Sequence, residues 1–326
     1  MLDINKMTEY TEPIKIDLEQ FDSKLNDYLQ EDSPLISSIA RHLLKTRGKR
    51  IRPVFLFLSS HASDNFTDYS VDASLAIELI HTATLLHDDV VDESDMRRGQ
   101  ETVNAQWANL ISVLMGDYIF AKAFRVMVEA NSIELMRSMS KATERIAVGE
   151  LRQIEETGNY NLSEDEYTSI IADKTAALFS IACEAGPILK KRANRERTRF
   201  ALFGEKIGTA FQIADDLLDY VGEVEVTGKE SGNDVMTGKV TLPLIHSLKK
   251  VNKASRREII KLLKEHREES FEKINNFVAE TGGIDYAYNK ASELGQKGLD
   301  AISHVNNSIY YKCLSDMVNF TISRAS

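Results

Sequence analysis

Asp88, Asp89 and Asp92 stand in the run Leu86-His87-Asp88-Asp89-Val90-Val91-Asp92, and Asp215, Asp216 and Asp219 stand in Ile213-Ala214-Asp215-Asp216-Leu217-Leu218-Asp219. Each is an Asp-Asp-x-x-Asp set embedded in apolar sequence. On an α-helix the first and last aspartates of a set fall at i and i+4, on one face and about 5–6 Å apart at Cβ. Aspartate is a poor helix former and neighbouring carboxylates repel, so local stability gives no reason for the pattern. Six carboxylates in two such sets point to a hard divalent cation, Mg2+ or Mn2+, rather than zinc or iron. Magnesium keeps several waters and bridges one or two carboxylates to substrate phosphates, so a phosphorylated ligand is expected. One copy alone reads equally well as a solvated helix surface; two copies, each flanked by apolar residues, argue against that.

Basic residues supply a second test. The chain carries a formal net charge of −10, yet Lys49, Arg50 and Arg52 share one turn, and Arg97-Arg98 lie just past the first set. Lys229 and Lys239 follow the second set in glycine-punctuated sequence. Point-charge lysines and bidentate arginines suit phosphate, and glycine lets backbone approach a ligand. The acidic balance argues against nucleic-acid binding, which normally leaves a basic footprint.

Long helices are needed to carry these groups. Only five prolines occur among 326 residues, none between Pro53 and Pro187, and apolar residues recur at helical spacing, as in Ala73, Ile77 and Ile80 leading into the first set. No strand alternation is sustained, so an all-α bundle is expected, and 43% hydrophobic residues suffice for a substantial core. Helices are predicted near 14–30, from Pro34 with Ser33 as N-cap, at 71–94, 103–130 and 132–157, and at 195–222. Another begins at a Ser163/Glu166 capping box, contains Lys174-Thr175 and ends near Gly186-Pro187. Arg47 to Pro53 reads as a break and Asp95 to Gln100 as a loop. No linker or tandem repeat is visible, so residues 1–326 are expected to form one domain, with 250–326 as charged helices of the same bundle.

The N-terminus lacks the pattern of a secretory signal, and Val54–Leu58, the longest compact apolar run, is far short of the ~20 apolar residues that cross a bilayer. A cytoplasmic location is expected. Cys183 and Cys313 lack metal-ligand spacing and are expected as buried free thiols, with a disulfide as the alternative.

The segments Gly48-Lys49-Arg50-Ile51-Arg52-Pro53, Leu86 to Asp92 with Arg97-Arg98-Gly99, Lys174-Thr175, Phe211-Gln212 leading into Asp215 to Asp219, and Gly228-Lys229 closely resemble the trans-isoprenyl diphosphate synthases in order and spacing, over roughly residues 40–245. The resemblance implies an all-α fold of the isoprenoid synthase type with a deep central cavity, the two aspartate sets facing across its mouth, and a homodimer. It implies that Asp88, Asp92 and Asp215 bind Mg2+ directly, about three ions with substrate bound, while Asp89, Asp216 and Asp219 hold metal waters. Arg97, Lys174, Lys229 and Lys239 would then clamp the allylic diphosphate. Lys49, Arg52, His81 and Arg98 would hold isopentenyl diphosphate, and Thr175 and Gln212 would lie near the developing allylic cation. Simpler readings remain for three of these residues: His81 as a satisfied core histidine, Thr175 bonded to a helix carbonyl, and Gln212 orienting Asp215.

Ala83 and Thr84, one turn before the first set, resemble the family's chain-length wall and are small, with Ile77, Ile80 and Met115 as candidates for the floor. A helical turn rises about 5.4 Å, close to one isoprene unit, so a product of about six to nine units is expected, seven or eight favoured. The alternatives are a short-chain farnesyl or geranylgeranyl synthase and the catalytic subunit of a heterodimer. A terpene cyclase is disfavoured because its second metal motif mixes Asn or Asp, Ser or Thr, and Glu, and because Lys49 and Arg52 offer a site for a second diphosphate. A di-iron bundle is disfavoured because no Glu-x-x-His pair is suitably placed.

Overall fold

A computed structural model describes residues 4–45, 48–221, 232–265 and 267–323. The helices are α1 (Ile4–Thr11), α2 (Lys15–Leu29), α3 (Pro34–Lys45), α4 (Ile51–Ala62), α5 (Ser70–Val91), α6 (Val103–Trp107), α7 (Asn109–Glu129), α8 (Ile133–Glu155) and α9 (Glu164–Ile171). They continue as α10 (Ala177–Leu189), α11 (Asn194–Val221), α12 (Asn233–Thr237), α13 (Leu242–Lys250), α14 (Lys253–Glu265), α15 (Arg267–Glu280), α16 (Gly283–Ala301) and α17 (Ile309–Ser323). Among the described residues the sole sheet is a two-residue antiparallel ladder, β1 (Met96–Arg97) with β2 (Gln100–Glu101).

The expected all-α bundle is therefore present. The Ser163/Glu166 capping box forms in both directions. Several local expectations change. The expected break is present at residues 48–50, but residues 51–53 already open α4, because Pro53 falls in its first turn, where a missing N–H costs nothing. The span 103–130 is split at Ala108, whose φ of 88° cannot continue a helix. Residues 95–100 form a hairpin in which Arg98 (φ 54°) and Gly99 (φ 74°) make the two-residue turn. The helix through Lys174 is three pieces: α9, a π-helical turn at Ala172–Ala176, and α10, which runs past Pro187 to Leu189.

α5 packs along α7, while α11 lies between α10 and α16. Phe55 of α4 sits against Phe179 of α10 (5.8 Å between ring centroids) and Phe203 of α11 (6.0 Å), and all three are fully buried. Truncating any one of them to Ala costs about 3–5 kcal/mol. Cys183 and Cys313 are buried free thiols, as expected. The packing fixes the ends of three helices that deliver chemistry to one end of the bundle: the start of α4, the end of α5 and the end of α11.

Candidate active site

His81, Thr84, Leu85 and Asp88 in the last three turns of α5, with Asp92 capping its end, form a stripe of half-buried residues. Their spacing of three and four places them on one face. Burial pushes the Asp88 carboxyl up to about 6, opposed by Lys174 and Arg97 and reinforced by Glu150 and Asp92. Asp92 accepts from Lys239 at 3.3 Å. Asp89 points away from the stripe, buried, and accepts from Arg97 Nε at 2.6 Å. The hairpin aims that arginine back at α5, and it is clamped by Thr102 Oγ1 and Asn104 Nδ2, both donating to the Ser94 carbonyl.

The second set divides in a similar way. Asp215 is exposed at the end of α11. Asp216 is buried and accepts from Tyr167 OH at 2.5 Å and from Gln212 Nε2 at 2.8 Å; burial, with Asp234 nearby, drives its carboxyl upward. Asp219 accepts from the backbone N–H groups of Gly232, Asn233 and Asp234, which fixes the start of α12. Gln212 thus orients Asp216, one turn on, rather than Asp215. Thr175 donates to Gln212 Oε1 at 2.7 Å rather than to a helix carbonyl. The result is a chain of side-chain bonds from Thr175 through Gln212 and Asp216 to Tyr167.

Lys174 reaches the site from the π-helical turn, a distortion that concentrates at functional positions. Its ammonium lies 2.6 Å from Glu150 of α8. Gly149 makes this contact possible: a Cβ there would stand 2.4 Å from the Lys174 backbone nitrogen. Burial lowers the affinity of Lys239 for its proton, but Asp234, Asp92 and Glu150 more than compensate, so it stays cationic.

Further down the stripe is a cationic group. Burial, together with Arg52, Arg98, Arg97 and Arg50, holds His81 well below the usual histidine range, so it is a neutral donor and acceptor at pH 7. The Arg52 guanidinium stacks 4.9 Å above the Phe179 ring, and burial lowers it to about 10, still cationic at neutral pH. Its Nε is buried without a hydrogen-bond partner, a donor suited to an anion. The Arg98 guanidinium crowds Gly48, where a Cβ would stand 2.6 Å from it, and Lys49 is exposed beside them. Arg50 is taken up structurally by Glu78 (3.1 Å) and Asp22 (3.4 Å). Lys229 lies outside the described residues.

The two wall residues separate. Thr84 lies on the open stripe, whereas Ala83 shares the face of His87, whose ring packs over Gly116 of α7, and exposes no surface. Ile77, Ile80 and Met115 are likewise buried. Three site groups carried no legible signal: Glu150, Tyr167 and Asp234. Only the mid-helix glycine before Glu150 hinted at a close approach.

Among the described residues no three carboxylates, imidazoles or thiols gather tightly enough to hold a cation alone. The donor set still suits a hard cation that takes its remaining ligands from phosphate and water: carboxylates on two helices, one of them raised by burial and like charge, beside lysines.

The polyprenyl synthetase family model matches residues 33–281. The chain belongs to the polyprenyl synthetase family. It is therefore a prenyltransferase of a magnesium-dependent family. It is 34% identical to octaprenyl diphosphate synthase of Haemophilus influenzae, over 99% of this chain and 98% of that one. It is 33% identical to heptaprenyl diphosphate synthase component 2 of Bacillus subtilis, over 82% and 77%. The crystal structure of a Caulobacter crescentus polyprenyl synthase, complexed with calcium and isoprenyl diphosphate, superposes with a TM-score of 0.92 at 32% identity, covering 99% of this chain and 98% of its own. The polyprenyl synthetases thus share this helical fold from end to end, and no helix among the described residues is long and apolar enough to cross a membrane.

Proposed function

We propose that the chain is a trans-polyprenyl diphosphate synthase that adds isopentenyl diphosphate head to tail to farnesyl or geranylgeranyl diphosphate, giving a product of about six to nine units, seven or eight favoured. The carrying observation is one stripe of α5 with an anion site at each end: Lys174 and Lys239 beside Asp88 and Asp92, and the Arg52, Arg98 and His81 group two turns below. Two turns rise about 11 Å, room for two diphosphates side by side. The octaprenyl and heptaprenyl relatives favour the long product.

Asp88, Asp92 and Asp215 would hold Mg2+, about three ions with Mn2+ as a substitute, which would supply positive charge for the leaving diphosphate. Asp89, Asp216 and Asp219 sit against Arg97, Tyr167 and the α12 backbone, which supports a positioning role or contact through metal waters. Lys174, Lys239, Arg97 and Lys229 bind the allylic diphosphate and stabilise the charge that grows as its C–O bond ionises. Lys49, Arg52, Arg98 and neutral His81 hold isopentenyl diphosphate, whose double bond attacks the allylic cation. Thr175 and Gln212 present dipoles fixed by the Asp216–Tyr167 chain to that cation. The released diphosphate takes the proton.

Incubation with Mg2+, isopentenyl diphosphate and either primer, followed by product sizing, tests this reading. Accumulation of farnesyl or geranylgeranyl product alone points to the short-chain alternative. Protons compete with metal at Asp88, so apparent Mg2+ affinity is expected to fall as pH drops through about 6. A KM for Mg2+ that stays flat between pH 7.5 and 5.5 rejects Asp88 as a ligand.

Residues 1–326 act as one domain in this reading, in the cytoplasm, as a homodimer. Apolar residues exposed on α7 (Leu110, Leu114, Val128) and α8 (Val148, Leu151, Ile154) fit a second copy. The name of the Bacillus subtilis relative, "component 2", favours the heterodimer as second reading. A Leu114→Glu/Leu151→Glu double variant is expected to be monomeric by light scattering; an unchanged mass excludes this face.

A further inference from the structure

Glu150 lies outside both aspartate sets and the mechanism above gives it no task, yet its carboxylate is 2.6 Å from Lys174 Nζ in a site where both side chains are mostly covered (16% and 19% exposed). It acts electrostatically on two more groups of the same site, raising the Asp88 carboxyl and favouring the charged form of Lys239. Gly149 locks α8 onto the backbone of Lys174 itself, so the carboxylate is held beside the π-helical turn by main-chain packing. A buried ammonium without an anion is costly, and a diphosphate approaching Lys174 must displace the anion already there.

We infer that Glu150 is a positioning residue, an internal stand-in for the allylic diphosphate that holds the Lys174 ammonium in place and is displaced from it when substrate enters. The carboxylate thereby weakens ground-state binding of diphosphate, and of the diphosphate product, by competing for the same cation. This rests on Lys174 being a diphosphate contact.

The probe is inorganic diphosphate titrated calorimetrically into the full chain already saturated with isopentenyl diphosphate, which fills the Arg52 and Arg98 site, in the presence of EDTA, so that no metal contributes. Glu150→Gln is expected to bind it roughly three- to tenfold more tightly than the unmodified chain, because the competing charge is gone while the side-chain shape is kept. Lys174→Gln is expected to bind it more weakly, and Glu150→Gln/Lys174→Gln is expected to show none of the gain, since the effect of Glu150 runs through Lys174. A purely structural Glu150 would instead weaken binding when replaced. Unchanged or weaker binding in Glu150→Gln, with Lys174→Gln still weakened, overturns the inference and leaves the Lys174 contact standing. An unaltered affinity in Lys174→Gln overturns that contact and the inference together. Should Glu150→Gln not fold, Glu150→Ala has the same expected direction and is judged by the same criteria.

Discussion

Asp88→Asn is expected to lower kcat by about a hundred- to a thousandfold while making the protein more stable at neutral pH. The catalytic loss follows from replacing a charged metal ligand with a neutral amide at the point where the leaving diphosphate must be stabilised, and single electrostatic groups at such points have effects of that size. The stability gain follows from the sign of the carboxyl's shift. Asp88 is raised from 3.8 to about 6 by burial. Between those values the folded chain holds a proton that the unfolded chain has lost, so stability falls as pH rises through that window, and the full cost is borne above about pH 6. The cost is on the order of 1–3 kcal/mol, and asparagine is free of it. Thermal unfolding of the two proteins should therefore converge near pH 4 and separate at pH 7.5, the variant melting higher. Mg2+ with diphosphate should stabilise the unmodified chain and not the variant. A variant that melts lower at pH 7.5 would show that Asp88 is satisfied by its neighbours rather than waiting for a cation. Asp89→Asn makes the contrast, since Asp89 is already paired with Arg97. Its loss is expected to be smaller, and to act through a misplaced arginine.

That contrast marks the limit of what the sequence discloses. Period and apolar flanks place Asp88 and Asp92 on one face of α5, and the structure keeps them there. Spacing cannot tell which members of an Asp-Asp-x-x-Asp set meet ligand and which are consumed by protein. That depends on an arginine delivered by a six-residue hairpin, a tyrosine from α9 and three backbone N–H groups at the start of α12. The π-helical turn is equally hidden, because Ala172 to Ala176 differ from ordinary helical sequence in no local propensity; the distortion is imposed by α8 and α11 packing on either side. The fold class was legible because proline scarcity and apolar spacing act over long stretches. The ends of α4 and the split at Ala108 were not, since each turns on the torsions of a single residue.

Thr84→Phe is expected to shorten the product by several isoprene units. Thr84 is one turn below Asp88 on the half-buried stripe, and its hydroxyl is folded back onto the His81 carbonyl at 2.8 Å, so the side chain projects little beyond the stripe. A phenyl ring there would project into the path of the growing chain. Ala83→Phe is expected to shorten the product too, at an additional cost. Ala83 faces α7 with no exposed surface, so the ring must part α5 from α7 or turn toward the stripe, with an overpacking penalty of about 1–3 kcal/mol. The pair therefore separates two routes for the chain: a shorter product only from Thr84→Phe puts the path along the stripe, and one only from Ala83→Phe puts it between the helices. Unchanged product from both would place the wall elsewhere. The geometry also bounds the path. At roughly one helical turn per isoprene unit, the stretch of α5 from Asp88 down to Ser70 spans about five turns, which accommodates about five units. A product of seven or eight units must leave the shelter of α5 or fold back on itself. Phe at position 84 blocks the chain long before it meets that limit, which is why a single side chain so close to the metal site is expected to outweigh any change at the floor.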